Sequence, residues 1–133
     1  MIHKRLLIAD RKLIRKLELK LELLESNDAD LTKTYLDKET NSKWLRFYVD
    51  FEYYGGNPIF GKLPLPDINS LINIAINSEF EDEVFAACKI LAEKEKVEGI
   101  EFRSKLINKT ADVKDKNRLA KIAYWTALNS AFR

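Results

Sequence analysis

Residues 44–51 have the sequence WLRFYVDF, and the conformation of this stretch decides the fold class of the chain. Trp44, Leu45 and Tyr48 recur at the spacing of one face of a helix. Ser42 precedes them and can accept hydrogen bonds from the free amides of a first helical turn. We therefore predict a helix here. The same stretch is rich in aromatic and β-branched residues, which favour strands, so a strand remains the alternative.

The residues on the amino-terminal side of this stretch predict two helices. From Asp10 to Glu25, leucines recur at steps of three and four residues, which is the periodicity of a helix. Leu19 and Leu23 fall on other faces of that helix, so it would be contacted on two sides. A second, short helix is expected from Asp30 to Asp37, and a polar connection follows it.

The residues on the carboxyl-terminal side predict a break and then more helices. Tyr53–Pro58 contains two glycines and a proline, and the alternating Leu and Pro residues up to Pro66 suit an extended run. Asp67 is well placed as an N-cap, and the apolar stripe after it predicts a helix that pairs with a second helix from about Glu81. Further helices are expected over about 98–108 and 115–131.

These elements together predict an all-α fold class. No pair of alternating strands joined by a hairpin turn is evident in the sequence. A chain of 133 residues fits one domain by its length. We therefore expect a single helical domain, 1–133, built as an irregular bundle or a short solenoid-like stack of about six helices.

The composition excludes several classes of protein. The chain has one Cys and one His, so a disulfide framework and a His/Cys zinc site are both excluded. Neither a secretory h-region nor a run of about 18 apolar residues is visible. The expected compartment is therefore the cytoplasm, without membrane association, and Cys88 is expected to be a reduced thiol.

Residues suited to catalysis or cofactor binding are few. His3 lies next to the chain start and Cys88 falls on the apolar face of a helix, so neither is a good base or nucleophile. Gly56–Lys62 matches G-x-x-x-x-G-K, but Leu63 and Pro64 follow, so the helix that a phosphate loop requires does not begin there. We predict a non-catalytic protein with no cofactor and no metal. A small enzyme with unidentified carboxylates remains an alternative.

Two clusters of residues are candidates for binding a partner protein. Aromatic residues crowd into 44–60, and most are expected in the core, whereas those at the Gly-Gly turn are candidates for an exposed anchor. The acidic run near Glu81 suits the first turn of a helix, and it could also steer a basic partner surface. The predicted partner-binding residues are Tyr53, Tyr54, Asn57, Phe60, Lys62, Glu79, Glu81, Asp82 and Glu83.

The net charge of +2 is unevenly distributed, because residues 1–25 and 99–133 are basic and the residues between them are acidic. The simplest interpretation is that basic and acidic helices lie side by side in the fold. The basic ends could instead bind phosphates, so a nucleic-acid-associated regulator is the alternative binding function. The pI of 8.6 is below the value of about 9 typical of nucleic-acid domains, so nucleic acid is not the expected partner.

The segment Asp50–Glu95, about a third of the chain, has a distinctive order of elements. It runs Tyr53-Tyr54-Gly55-Gly56-Asn57-Pro58, then Gly61-Lys62-Leu63-Pro64-Leu65-Pro66-Asp67, then two helices with Glu81-Asp82-Glu83 and Ala86-Ala87-Cys88. This order resembles the small all-helical immunity proteins of bacterial polymorphic-toxin and contact-dependent inhibition systems. The resemblance implies a cytoplasmic protein that neutralises one cognate toxin domain by binding it, often over the active site.

Overall fold

The computed structural model describes residues 4–50 and 56–127. The chain divides into two compact units, one up to Pro66 and the other from Asp67 onwards. Two predicted partner-binding residues, Tyr53 and Tyr54, lie outside the described residues. The prediction of one domain over the whole chain stays a prediction.

In the described residues, the first unit is a five-stranded antiparallel sheet with one helix. Its elements are β1 (Leu7–Ile8), α1 (Arg11–Lys20), β2 (Glu22–Asn27), β3 (Thr32–Asp37), β4 (Ser42–Val49) and β5 (Asn57–Lys62). The strand order is β1-β5-β4-β3-β2, so β2 to β5 form a meander and β1 pairs with β5. The two edges of the sheet are therefore β1 and β2.

The all-α prediction is wrong, and β4 shows the reason. Trp44 pairs with Tyr35 of β3 and faces α1, whereas Val49 lies at a position of opposite parity and faces away. Both side chains are buried, with 1% and 2% of their surface exposed. Because apolar residues fill both faces, β4 is a nearly continuous apolar run, whose periodicity also fits a helix. The all-helical fold that the resemblance implies is wrong for this unit too.

Helix α1 begins as predicted and ends earlier. The Asp10 carboxylate accepts hydrogen bonds from two backbone amides of the first turn, which caps the helix. The helix ends at Lys20, and the chain is extended from Leu21 into β2. Leu17 and Leu21 are buried in one cluster, so the helical spacing of leucines continues across a junction between helix and strand. The helix predicted over 30–37 is also wrong, because β3 occupies that stretch.

Helix α1 covers one face of the sheet. The core cluster on that face consists of Ile14, Leu17 and Leu21 from α1 or its end, and Ile8, Tyr35, Trp44 and Phe60 from the strands. The rings of Tyr35 and Phe60 stack, with their centroids 5.4 Å apart. Each strand in the described part of the chain except β2 places a side chain in this cluster.

The second unit is helical, as predicted. Its described elements are α2 (Ile68–Asn77), α3 (Glu81–Glu98), α4 (Arg103–Thr110) and α5 (Lys116–Trp125). The Asp67 N-cap is confirmed, because its carboxylate accepts a hydrogen bond from the backbone N of Ser70 at 2.8 Å. The predicted start of α3 at Glu81 is confirmed as well. Helix α3 ends at Gly99, whose φ of 69° lies in the left-handed region that glycine adopts without strain.

Two arginines tie the helices of the second unit together. Arg103 makes a two-pronged ion pair with Glu95, with Nη2 2.8 Å from Oε1 and Nε 3.0 Å from Oε2. Arg118 donates hydrogen bonds to the carbonyl oxygens of Ala75 at 3.2 Å and Ser78 at 2.6 Å, at the negative end of α2. Of these contacts, the ion pair of Arg103 with Glu95 is of the kind expected where a basic carboxyl-terminal helix lies beside an acidic one.

We expect Cys88 of α3 to be chemically inert in the folded protein. Its side chain is buried, and this burial raises the pKa of the thiol to about 12. The reactive thiolate is therefore nearly absent at neutral pH, so alkylation by iodoacetamide should be roughly a thousandfold slower in native buffer than in guanidinium chloride. Mass spectrometry of timed samples measures both rates. Equal rates in the two solutions would contradict the burial of Cys88.

Candidate functional site

Strand β2 forms an open edge of the sheet. It pairs with β3 on one side, and all six of its residues are exposed. Its other side has no strand partner in the described part of the chain, so that row of backbone groups is a template for a further strand. The opposite edge, β1, has only two residues. Strand β2 is therefore the longer edge at which another chain can pair.

Exposed leucines lie within β2 or close to it along the chain, and we call these residues together with β2 the leucine edge. They are Leu19, Leu23, Leu24 and Leu31, with 90%, 50%, 45% and 50% of their surface exposed. Leu19 belongs to the last turns of α1, and Leu31 to the turn between β2 and β3. Several large apolar side chains exposed in one region mark an interaction site more strongly than single scattered ones.

A β-bulge interrupts β2 between its leucines and its polar end. Leu23 pairs with Tyr35 and Glu25 pairs with Thr34, so Leu24 is the extra residue. Bulges break the alternation of faces and re-aim side chains, and they are common beside functional sites. Since β2 adds no residue to the core cluster, its pairing with β3 holds it in place, and its leucines remain accessible.

Leu31 occupies a strained position in the turn between β2 and β3. Its φ is 58°, in the left-handed region, which a residue with a Cβ adopts at a cost of roughly 1–2 kcal/mol. The turn between β3 and β4 has the same length and carries Asn41 at the matching place, with a φ of 59°. Asn tolerates this conformation. A leucine here lowers local stability and presents an apolar side chain to solvent, which points to a functional position.

Charged side chains lie at one end of the leucine edge, next to the turn between β3 and β4. The Nζ of Lys38 lies 3.9 Å from a carboxylate oxygen of Glu22, and the Nζ of Lys20 lies 3.7 Å from one of Glu39. Such exposed pairs add little to stability. Charges together with a bulge hinder indiscriminate pairing of a strand edge. The leucine edge therefore suits a specific partner.

A polar network holds the strands behind this edge to α1. The Oε2 of Glu18 accepts hydrogen bonds from the Tyr35 hydroxyl and from Nη1 of Arg46, both at 3.1 Å. Burial of the Tyr35 side chain, reinforced by the negative charge of Glu18, raises the pKa of its phenol to about 12. The hydroxyl therefore stays a protonated donor at physiological pH. The network gives β3 a fixed position, and β2 pairs along it.

A polar cleft of about 290 Å³ lies beside this network, between α1 and the strands β4 and β5. Its lining includes Arg11, Arg15 and Arg46, with Glu18 as the acidic residue among them. Arg11 donates a hydrogen bond to Oδ1 of Asn57 at 2.9 Å. The buried Nε of Arg46 has no hydrogen-bond partner within the described ranges. The cleft has an excess of positive charge and is suited to holding an anion.

The predicted partner-binding residues of β5 lie away from the leucine edge. Asn57 is half-buried, accepts the hydrogen bond from Arg11 and donates its own side-chain N–H to Asp50 at 3.1 Å. Phe60 is fully buried in the core cluster, so its ring is turned to the interior. Lys62 is half-buried at the end of the strand.

The predicted acidic residues lie at the start of α3, and they are Glu79, Glu81, Asp82 and Glu83. Glu81 forms an ion pair with Lys121 of α5. Glu83 is buried and accepts a hydrogen bond from the Ser78 hydroxyl at 2.6 Å. Glu79 is exposed, and Asp82 is half-buried. Glu81 and Glu83 therefore make contacts within the second unit. This agrees with the expectation that the acidic run suits the first turn of a helix.

Neither a metal-ion site nor a phosphate-binding glycine loop is formed in the described ranges. Residues 4–50 and 56–127 contain no group of three or more His, Cys, Asp or Glu residues that could hold a metal ion. The G-x-x-x-x-G-K motif over Gly56–Lys62 forms strand β5 from Asn57 onwards, so its backbone pairs with β4. In the same residues, no helix has the length and apolar character needed to cross a membrane.

The leucine edge is missing from the predicted partner-binding residues. The sequence contains one signal of it, because Leu19 and Leu23 fall outside the apolar stripe of the helix predicted over 10–25. Because the chain is extended after Lys20, Leu23 does not lie on a second face of a helix that a neighbouring element could cover. It lies in β2, where its side chain is exposed.

Comparison of the chain with protein-family models, with curated proteins and with solved structures gives no match. The functional assignment therefore depends on the geometry of the molecule itself.

Replacing Leu31 with Asn is expected to stabilise the protein. Because Asn tolerates a positive φ, Leu31→Asn should raise the free energy of unfolding by about 1 kcal/mol, measured by urea denaturation. Asn41→Leu in the equivalent turn is the matched control and should lower the free energy of unfolding by a similar amount. Destabilisation by Leu31→Asn would show that the leucine makes packing contacts that outweigh its backbone strain.

Proposed function

We propose that this chain is a non-catalytic protein-binding module that takes up its partner at the leucine edge. The observation that carries the proposal is the open edge of β2, with its exposed leucines and a strained turn that keeps Leu31 at the surface. Strand addition needs an unpaired edge for main-chain hydrogen bonds and apolar side chains for selectivity, and the leucine edge offers both.

In the proposed mechanism, an extended segment of the partner pairs with β2 and becomes the sixth strand of the sheet. The main-chain hydrogen bonds give affinity without regard to sequence, and the side chains decide which segment is accepted. Full burial of an exposed leucine contributes on the order of 1.5–3 kcal/mol, so Leu23, Leu24 and Leu31, which are about half exposed, contribute about half of that each when the partner covers them. The bulge at Leu24 requires a partner strand that follows the local twist.

The partner class implied by the resemblance is a bacterial toxin domain, and the compartment is the cytoplasm. In the proposal the chain is an immunity protein, and it neutralises the toxin by occlusion: the toxin contributes the added strand, and the bulk of the bound module covers its active site. The two helices of the segment that carries the resemblance are present as α2 and α3. The contact surface proposed is the leucine edge, whereas most of the residues predicted from the sequence lie in β5 and α3.

Hydrogen exchange of a captured complex tests where the partner binds. The tagged chain is used to purify partners from the cells that produce it, and the complex is compared with the free protein by hydrogen–deuterium exchange. We expect the backbone amides of 22–27 to exchange more slowly in the complex, because the outward amides then bond to an added strand. Protection confined to residues 79–83 would contradict the leucine edge as the binding surface.

Substitution of Leu23 tests the same surface by affinity. We expect Leu23→Lys to weaken the captured partner's binding by at least about tenfold, because a charge then lies at the apolar centre of the interface. Val97→Lys is the matched control, since Val97 is an exposed aliphatic residue of α3 outside the leucine edge. Equal affinities of the two variants would count against the proposal. Self-association that Leu23→Lys abolishes would identify a second copy as the occupant and refute the toxin.

The cleft with Arg11, Arg15 and Arg46 favours a second candidate function, a nucleic-acid-associated regulator. Filter binding of single-stranded RNA at low salt separates the two candidates, because phosphate contacts are strongest there. Under the main proposal no binding is expected. Binding that is lost in Arg11→Glu with Arg15→Glu, and kept in the charge-matched control Lys94→Glu with Lys96→Glu, would establish the second candidate instead.

A further inference from the structure

A groove of about 530 Å³ lies in the second unit, between α2 and α4. Its lining residues are Asn69, Ile72, Asn73, Ile76 and Asn77 of α2, and Lys105, Asn108, Lys109 and Asp112 of α4 or its end. Buried Ile72 and half-buried Ile76 supply apolar surface, and all the polar residues are exposed. The groove is thus an apolar floor between walls of carboxamides and charged side chains, remote along the chain from the leucine edge.

The carboxamides of α2 have the spacing of an extended peptide. Asn69, Asn73 and Asn77 follow one another at four-residue steps, so they lie on one face of the helix about 6 Å apart along its axis. An extended peptide advances about 6.6–6.8 Å for every two residues. A side-chain amide both donates and accepts, so each Asn can bond the N–H and the C=O of every second peptide residue.

The asparagine side chains of the groove have donors and acceptors that are available for hydrogen bonds to a ligand. Asn77 donates one hydrogen bond to Oδ1 of Asn73 at 2.7 Å, which leaves the amide group of Asn73 and the carbonyl of Asn77 available. Within the described ranges, no hydrogen bond engages the side chain of Asn69 or Asn108. Asn is a weaker helix former than Ala, so three of them on one face of a ten-residue helix have a local cost in stability.

The charges of the groove select the kind of peptide. Lys105 and Lys109 flank Asn108 on the α4 side, and Asp112 lies beyond them at the end of that helix. The two cations of the described lining outnumber its carboxylate, and Asp67, whose carboxylate interacts electrostatically with Lys105, lies outside that lining, so an acidic segment is favoured. Among the described residues the lining has no aromatic side chain, so it does not provide the stacking surface on which nucleobases and sugars usually rest.

We propose that this groove binds an extended acidic peptide segment of a partner protein, with the asparagines of α2 bonded to its main chain and the lysines of α4 paired with its carboxylates. The inference does not depend on the function proposed above, because it concerns a different surface in the other unit. It gives the chain two separate peptide-binding surfaces.

Fluorescence anisotropy with a defined peptide tests the proposal. The probe is a labelled six-residue peptide of alternating Glu and Val, blocked at both ends, titrated with the full chain. Since such a peptide could also pair with β2, the titration is repeated with Leu23→Lys, which we expect to bind it as the wild type does. The same peptide with Lys in place of Glu should bind at least about tenfold more weakly.

Variants of the groove make the test specific. We expect Asn73→Ala to weaken binding by up to about tenfold, the effect of losing the main-chain hydrogen bond that the amide group of Asn73 donates. Asn117→Ala, at an exposed Asn of α5 outside the groove, should leave binding unchanged. Lys105→Glu with Lys109→Glu should reverse the preference toward the Lys-Val peptide. Undetectable binding by the wild type, equal binding by Asn73→Ala, or loss of binding in Leu23→Lys alone would each overturn the proposal.

Discussion

The packing of one short helix on one face of the sheet is the constraint on which the first unit depends. Five strands spaced about 4.8 Å apart span roughly 19 Å, and the ten residues of α1 extend about 15 Å in a cylinder about 10 Å wide. The helix therefore cannot reach every strand. It buries Tyr35, Trp44 and Phe60 beneath it, whereas β2 contributes nothing to that core. Strand order places β2 at the edge of the sheet, and the small size of α1 leaves it without a residue in the core cluster.

The second unit could be predicted well because its signals are local. Asp67 caps α2, acidic residues occupy the first turn of α3, and Gly99 ends that helix in a left-handed conformation. Each of these capping and charge effects acts within a few residues, so the ends of the helices can be predicted from a single sequence. The ion pair of Arg103 with Glu95 joins different helices and could not be foreseen in this way, although the uneven charge of the chain indicated that such pairing would occur.

Apart from the start of α1 and the strand that was the alternative for 44–51, the first unit and its candidate site could not be predicted, because both depend on pairing between distant residues. Trp44 lies opposite Tyr35 in the sheet, and only that register shows that 42–49 alternates between two buried faces. The leucines near Lys20 have different environments, because Leu17 and Leu21 are buried in the core cluster and Leu19 and Leu23 are exposed. An edge is a property of strand order, and strand order is not visible in local periodicity.

Among the described residues, three surface features differ from what local stability alone would favour. Leu31 has a positive φ, which Asn tolerates better, as Asn41 does in the equivalent turn. Leu24 interrupts the pairing of β2 with β3, and α2 carries asparagines along one face. Natural sequences agree locally with their folds except where function requires otherwise. Two of these features belong to the leucine edge and one to the groove of the second unit. Their placement at open surfaces is what selection for binding other polypeptides would produce.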